Sequence, residues 1–236
     1  MDEQTVKRIL DAPPRGVRKA LKNAAVAYCR LTRSRRTFVF RGRYYHYFYH
    51  TYNLAWRNER AVEIPIAMER LLAHQGQEVL EVGNVLSHYT AVGHDIIDRY
   101  EVAEGVINED AVDFKPSKQY DLILSVSTLE HIGTCETPPD PGRVVPAVAN
   151  LVGLLKPGGE LIATAPLGFN PEFDALVERG EVPFGELYAL RRVGRKNEWE
   201  EADFSSVEGA EYQKSAFRAN AIIVGIIRKG QPVSAQ

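Results

Sequence analysis

Apolar and polar positions change rhythm several times along the chain, and each change predicts an element. Within GVRKALKNAAVAYCRLTRSRR, the apolar Val17, Leu21, Ala24, Tyr28 and Leu31 recur at helical spacing with Arg and Lys on the other side, which predicts an amphipathic helix. Phe38 and Phe40 alternate up to a tight turn at Arg41-Gly42, and Arg43 to Tyr49 return as a second strand, so a short hairpin follows. Pro65 suits the first turn of a helix and Gly76 the position past its end, which places a helix over 64–75. Strands are then predicted at EVLEVG (78–83), HDIIDRY (94–100), EGVINED (104–110), YDLILSVS (120–127) and GELIATAP (159–166), with a short helix after the first of them. Val144, Val145, Val148, Leu151, Val152 and Leu155 mark an amphipathic helix that KPGG ends. AIIVGIIRK (221–229) is a last buried strand, and QPVSAQ reads as a disordered tail. Strands separated by helical patterns imply an α/β fold, with a parallel sheet covered by helices on both faces and ligands at the carboxyl ends of its strands.

Composition narrows this picture. A chain of 236 residues with 44% apolar content fits one α/β core with decorations rather than two full domains. It contains no run of about 18 apolar residues, and MDEQTVKRIL has no signal-peptide core, so a cytoplasmic protein is expected. Cys29 and Cys135 have neither metal-ligand nor disulfide-framework spacing, and no structural disulfide is expected.

Charge is uneven. Residues 1–43 hold 12 Lys/Arg against 3 Asp/Glu, so the arm carries +9 and the remainder −11 within a net −2. Such an arm suits peripheral contact with an anionic surface, or a solvated helix packed against the domain. The acidic remainder would repel a phosphate backbone, so nucleic acid is an unlikely partner.

Aromatic residues crowd the segment that follows: Tyr44, Tyr45, Tyr47, Phe48, Tyr49, Tyr52 and Trp56. Their faces suit a sugar or a cation, and core packing explains them too. Tyr49, Tyr52, Asn53 and Trp56 are candidates to touch an acceptor, together with Phe169 and Asn170 after the 159–166 strand, in a segment expected to fold over it. Arg60 and Glu63 have the spacing to pair on one helical face. No His/Asp/Glu cluster has a spacing that demands a metal.

The series VLEVG, Asp98 after the second strand, INEDAVDF, YDLILSVSTLEH and LLKPGGELIATAPLG resembles class I S-adenosylmethionine-dependent methyltransferases, in matching order over roughly residues 77–167. The resemblance implies a Rossmann-like class I methyltransferase fold: a mostly parallel seven-stranded sheet with helices on both faces and an N-terminal helical/hairpin cap. It divides the chain into a basic extension and aromatic-rich cap (1–63), a methyltransferase domain (64–230) and a tail (231–236). It also implies that Glu81 orients the methionine part of the cofactor, Gly83 and Asn84 bring backbone close, and the next helix N-terminus offers N–H groups to a carboxylate. Asp98 would accept from the ribose hydroxyls, Asp110 and Ala111 would lie near the adenine, and Ser125 and Val126 would supply backbone beneath the methionine portion.

Val85 and Ser87 stand where the family pattern has two more glycines. S-adenosylmethionine has no pyrophosphate, so its loop need not make the close phosphate turn of dinucleotide sites. GNVLSHY, YHTYNLAWRNERAVEIP and NEWEE resemble a bacterial branch associated with tailoring of sugars and polysaccharides. That implies O-methylation of a saccharide or glycan-precursor hydroxyl by in-line transfer with a general base, His131 as first choice and Glu130 as second. A structural reading of His131, as helix cap or wall, stands beside the catalytic one. Another small metabolite or a lipid headgroup as acceptor, and a non-catalytic cofactor-binding or partner module, are the alternatives. A magnesium ion, used by some sugar methyltransferases, and the oligomeric state, a dimer included, are left open.

Overall fold

The alternation along the longest apolar runs becomes two buried faces of one sheet. In the computed structural model, which describes residues 14–134, 136–194, 196–213 and 218–230, the N-terminal part forms α1 (Arg15–Arg33), β1 (Thr37–Phe40), β2 (Arg43–His46) and α2 (Arg60–Ala73). The first half of the main sheet comprises β3 (Val79–Val82), β4 (Asp95–Ile97), β5 (Val106–Ile107) and β6 (Tyr120–Val126). Then come α3 (Val144–Leu154), β7 (Leu155–Pro166), α4 (Pro171–Glu178), β8 (Glu186–Val193), β9 (Glu198–Ala202), β10 (Tyr212–Gln213), β11 (Arg218–Ala219) and β12 (Ala221–Arg228). Residues 1–13 of the basic arm, Cys135 and the 231–236 tail lie outside the described residues.

On β12, Ile222, Val224 and Ile226 enter the apolar cluster that holds α2, while Ala221, Ile223 and Ile227 enter the one that holds α3 and α4. Burial on both faces is why these strands read as unbroken apolar runs rather than as alternations. The hairpin β1–β2 joins the α2 side: Phe38 and Phe40, with Tyr47 and Tyr49 beyond it, share a cluster with Leu122, Leu190 and Val224.

The main sheet has eight strands in the order β5-β4-β3-β6-β7-β12-β8-β9, not seven. The β5, β4, β3, β6 and β7 strands pair in parallel, and β12 runs against both β7 and β8, so β8 points the same way as β7. The eighth strand is β9, antiparallel to β8 at the edge. The segment expected to fold over an acceptor thus supplies α4 and two sheet strands instead.

Four further expectations are corrected. No α-helix follows β3; a single 3-10 turn, Leu86–His88, fills that connection. Helix α2 begins at Arg60, so Pro65 sits inside it rather than in its first turn. The Ala61 carbonyl, which a proline four residues on cannot serve, accepts instead from the Phe48 backbone N at 2.9 Å. That bond also pulls the chain out of the hairpin, and β2 stops at His46, short of Tyr49. KPGG is not a free turn: Leu155 pairs with Tyr120 and Glu160 with Leu122, so the motif is a bulge within β7.

Candidate functional site

From β3 the chain steps outward through β4 and β5, then returns to the other side of β3 as β6. Such a reversal opens a crevice at the carboxyl ends of the two central strands, where open α/β sheets take their ligands. A cavity of about 480 Å³ lies there, walled by Val82, Gly83, Asn84 and Val85 after β3, Asp98 and Glu101 after β4, Asp110 and Ala111 after β5, and Ser127, Thr128 and His131 after β6.

Its polar residues are already tied to the chain. Glu81, fully buried, accepts from Val85 N (3.0 Å) and Leu86 N (2.7 Å), and its other oxygen lies 2.8 Å from His94 Nε2. It stands behind the wall rather than on it. The N–H groups that a helix terminus was expected to offer are therefore held by this carboxylate. Asp98 accepts from Tyr100 N (2.9 Å) and Glu101 N (2.8 Å) through Oδ1 and from Asn84 N (3.1 Å) through Oδ2. Oδ2 keeps one lone pair for an outside donor.

Asn84 also donates from Nδ2 to Glu101 Oε1 at 2.7 Å, and His88 Nε2 lies 3.1 Å from the same oxygen. Gly83 has φ 86°, and a Cβ there would come within 2.2 Å of Thr128 Oγ1. Its missing side chain makes room for Thr128. Gly133 does the same for the Asp140 carbonyl, which a Cβ would meet at 1.8 Å.

Asp110 does not present a free carboxylate. Arg99 Nη1 (2.6 Å) and Arg143 Nη2 (2.9 Å) both bind its Oδ2, and Val112 N donates to Oδ1 at 2.9 Å. Burial pushes its pKa up, but the Val112 N–H and the two guanidiniums outweigh that and hold it below the usual carboxylate value. Ala111, beside it, contributes apolar wall together with Ile97 and Ile132.

Ser125 and Val126 lie inside β6, just before the cavity-lining Ser127. Ser125 pairs with Val82 and Ala163 across the sheet, and the Val126 carbonyl accepts from Arg60 Nη1 at 3.0 Å. The backbone at the cavity belongs to Ser127, which has φ 42°, and Thr128.

Behind Ser127 begins a second polar region, buried between the N-terminus of α2 and the turn after β6. Arg60 Nη1 lies 3.2 Å from Glu63 Oε2, and Glu63 Oε1 accepts from Ser127 Oγ (2.6 Å) and Thr164 Oγ1 (2.8 Å). Glu59 accepts from Ala219 N at 2.8 Å. Burial works against the Arg60 charge, and Glu63, Tyr89, Glu59 and Glu130 more than offset it. Glu130 has no exposed surface and neither carboxyl oxygen has a hydrogen-bond partner; His131 Nε2 stays 3.9 Å away. Burial drives its pKa well above the ordinary value, with Glu63 adding to the push. Tyr89, whose hydroxyl is also buried without a partner, is raised to about 12 by burial.

Aromatic rings flank this region on two sides. Tyr52 stacks on His88 at 4.2 Å and meets Tyr89 edge-on, and Tyr89 also meets Phe48 and His50. On the other side Phe169 lies 4.6 Å from His131 and 5.2 Å from Tyr212. Partial burial, then Arg60, lowers the His131 pKa, although half of its side chain is exposed.

The other candidates separate by role. Asn170 is the N-cap of α4, accepting from Glu172 N and Phe173 N and donating to the Glu130 carbonyl at 2.7 Å. Tyr49 is buried, with its carbonyl held by Arg30 and its hydroxyl 3.4 Å from the Arg33 carbonyl. Asn53 adopts φ 45°, and its carbonyl accepts from Asn58 Nδ2. Trp56 keeps its indole N–H buried and without a partner. Sequence reasoning missed Ser127, Thr128 and Glu101 on the cavity wall. Among the described residues no group of three His, Cys, Asp or Glu could hold a metal ion, and no helix is long and apolar enough to cross a membrane.

No protein-family model matches the chain, and no curated protein matches it. Solved structures similar to it include the N-methyltransferase NodS from Bradyrhizobium japonicum WM9 with S-adenosyl-L-homocysteine, at 17% identity, covering 74% of this chain and 89% of that one with a TM-score of 0.44. A SAM-dependent methyltransferase from Archaeoglobus fulgidus aligns at 15% identity over 72% of this chain and 96% of its own, with a TM-score of 0.42. The 1,6-didemethyltoxoflavin-N1-methyltransferase of Burkholderia thailandensis, with 1,6-didemethyltoxoflavin and S-adenosylhomocysteine bound, aligns at 15% identity over 72% and 79%, with a TM-score of 0.41.

Proposed function

We propose that this chain is an S-adenosylmethionine-dependent methyltransferase acting on a hydroxyl of a saccharide or glycan precursor. The observation that carries the cofactor reading is the cavity of about 480 Å³ at the reversal between β3 and β6, with an acidic residue at the end of β4 that retains one acceptor position. Its size falls within the range of about 300–1,000 Å³ usual for small-molecule sites. The loop after β3 lacks a helix N-terminus to receive a pyrophosphate, because Glu81 holds the Val85 and Leu86 N–H groups. That disfavours a dinucleotide and suits a nucleoside without phosphates.

In this reading Asp98 Oδ2 accepts from a ribose hydroxyl, and Ile97, Ala111 and Ile132 pack against the base. Gly83, Asn84 and the Ser127–Thr128 backbone border the amino-acid end. S-adenosylmethionine, when bound, supplies a methyl group on a positively charged sulfur. The chain's task is to hold an acceptor oxygen in line behind that carbon, without water between them, and to take its proton.

His131 is the base in this reading: it lies on the cavity wall, and its pKa is lowered, which favours the neutral ring. Tyr52 and Phe169 offer ring faces on either side for a sugar. Glu130, with two unpartnered oxygens, favours an acceptor that brings a donor of its own.

Calorimetric titration with S-adenosylhomocysteine, with NAD as control, tests the cofactor reading. Saturable binding of the first alone is expected. Absence of binding by the folded, ligand-free protein overturns it and leaves a partner module as the better account. Transfer of labelled methyl to a glycan hydroxyl tests the acceptor.

A further inference from the structure

Helix α1 keeps its apolar stripe outside. Its only buried side chains are Val26 and Cys29, whereas Val17 is 47%, Leu21 60%, Tyr28 58% and Leu31 84% exposed. With 3.6 residues per turn, positions 17, 21, 24, 28 and 31 fall on one stripe, opposite the side that carries Val26 and Cys29. Arg15, Lys19 and Lys22 lie away from the stripe but are themselves exposed, and Arg33 is half-buried. Arg30, on the same side, is fixed by two bonds to the Tyr49 carbonyl at 3.1 and 3.0 Å. A surface helix of a globular protein shows the reverse arrangement, with its apolar stripe inward.

We propose that α1 docks the protein onto an anionic lipid bilayer surface. The stripe enters the boundary between headgroups and acyl chains, and the long, exposed cationic side chains of the polar side reach the lipid phosphates. Charge complementarity supports this occupant: the helix carries Arg15, Arg18, Lys19, Lys22, Arg30 and Arg33 and no acidic residue. Arg15, Lys19 and Lys22 also wall a recess of about 400 Å³ with Thr51 and Tyr52, a size and charge that accept a phosphate headgroup. Basic amphipathic helices of this length lie in the interface plane rather than across it.

A second copy of the chain fits less well. The stripe runs from Val17 to Leu31, roughly 21 Å at 1.5 Å per residue. A helix pair of that length stays below the ~1,000 Å² expected of a stable interface, and it would oppose two helices that carry six cations each and no anion. The bilayer reading does not depend on the catalytic one. It does place Tyr52, which stacks on His88 beside the cavity, near the membrane surface.

Co-sedimentation of the full-length protein with vesicles tests the proposal, comparing phosphatidylcholine alone with phosphatidylcholine containing about 30% phosphatidylglycerol. Binding at least roughly tenfold stronger to the anionic vesicles, weakening with added salt, is expected. The double variant Leu21→Glu/Leu31→Glu alters only outward side chains and should lose that preference. Lys19→Glu/Lys22→Glu provides the second arm and should reduce binding in the same direction. No binding to anionic vesicles overturns the proposal, and so does binding that both variants leave intact. A dimer in sedimentation velocity that the Leu21→Glu/Leu31→Glu variant dissolves, without vesicle binding, assigns the stripe to a second copy instead.

Discussion

Two polar regions meet at Ser127 and differ in one respect. On the cavity side, the carboxylates of Glu81, Asp98 and Asp110 are all engaged by the chain itself, through backbone N–H groups, a histidine and two arginines. On the α2 side, Arg60 and Glu63 pair, but Glu130 and the Tyr89 hydroxyl are buried with no partner. Buried polar groups are almost always satisfied, so a region that is not calls for a ligand or water to complete it. The first region is organised before anything binds. The second keeps buried polar atoms without partners.

Arg60→Leu attacks that contrast most severely. Arg60 is the cation between Glu59 and Glu63, and removing one partner of a buried pair costs about 3–5 kcal/mol. Denaturant unfolding should register that loss, and Arg60→Leu/Glu63→Leu should recover part of it. A loss below about 1 kcal/mol would mean that water already screens the region and that it is not dry.

The base comes next. His131→Ala should lower kcat on the order of 100-fold with S-adenosylhomocysteine affinity unchanged, the signature of a group used only in transfer. The pH profile carries the sign: the His131 pKa is lowered from 6.5, so kcat holds at pH 7 and falls only as pH drops below that ordinary value. Glu130→Gln should raise KM more than it lowers kcat. The opposite split would move the proton to Glu130.

Asp98→Ala tests the satisfied side. It removes three bonds to backbone N–H groups and the remaining acceptor position, and should weaken S-adenosylhomocysteine binding by about 1–3 kcal/mol in a calorimetric titration. Asp98→Asn, which keeps an acceptor oxygen, should cost less. Unchanged affinity for the alanine variant would show that the cavity takes its ligand elsewhere.

How far the sequence discloses this arrangement varies with what each residue touches. Strands β6, β7 and β12 are legible because both sheet faces are buried and each holds a mostly apolar run. Strand β8 and the edge strand β9 are not, since Arg191 and Arg192 face Glu200 and Trp199 across them and the mixture of charge and aromatics reads as loop. Gly83 is legible as a special position, though its reason is contact with Thr128, a residue 45 positions on that no local pattern announces. Ser127 escapes because its positive φ falls on a residue type that rarely adopts one. Glu81 shows the limit best. Its place at the end of β3 is legible, but the connection to β4 holds only a 3-10 turn, so its carboxylate serves that loop's N–H groups.

The smallest expected effect lies at Asp174, in the first turn of α4 below Phe169. Its Oδ2 accepts from Gly168 N at 2.7 Å, while Oδ1 is buried without a partner, which extends the unsatisfied region to this helix. Burial pushes its pKa up to about 6, the Gly168 N–H pulls back, and Glu178 adds to the rise. An unfolded aspartate titrates near ~3.9, so the folded protein holds this proton more tightly. The stability linked to it is fully present below that unfolded value and is lost as pH rises through about 6. Asp174→Asn keeps an oxygen for Gly168 N and removes the charge, so it should flatten the decline between pH 4 and pH 7 by less than about 1 kcal/mol, given the partial solvent screening. Urea unfolding of both proteins at the two ends of that window measures the difference. If the variant and the parent differ by the same amount at both, Asp174 is already solvated, and the unsatisfied region ends at Glu130.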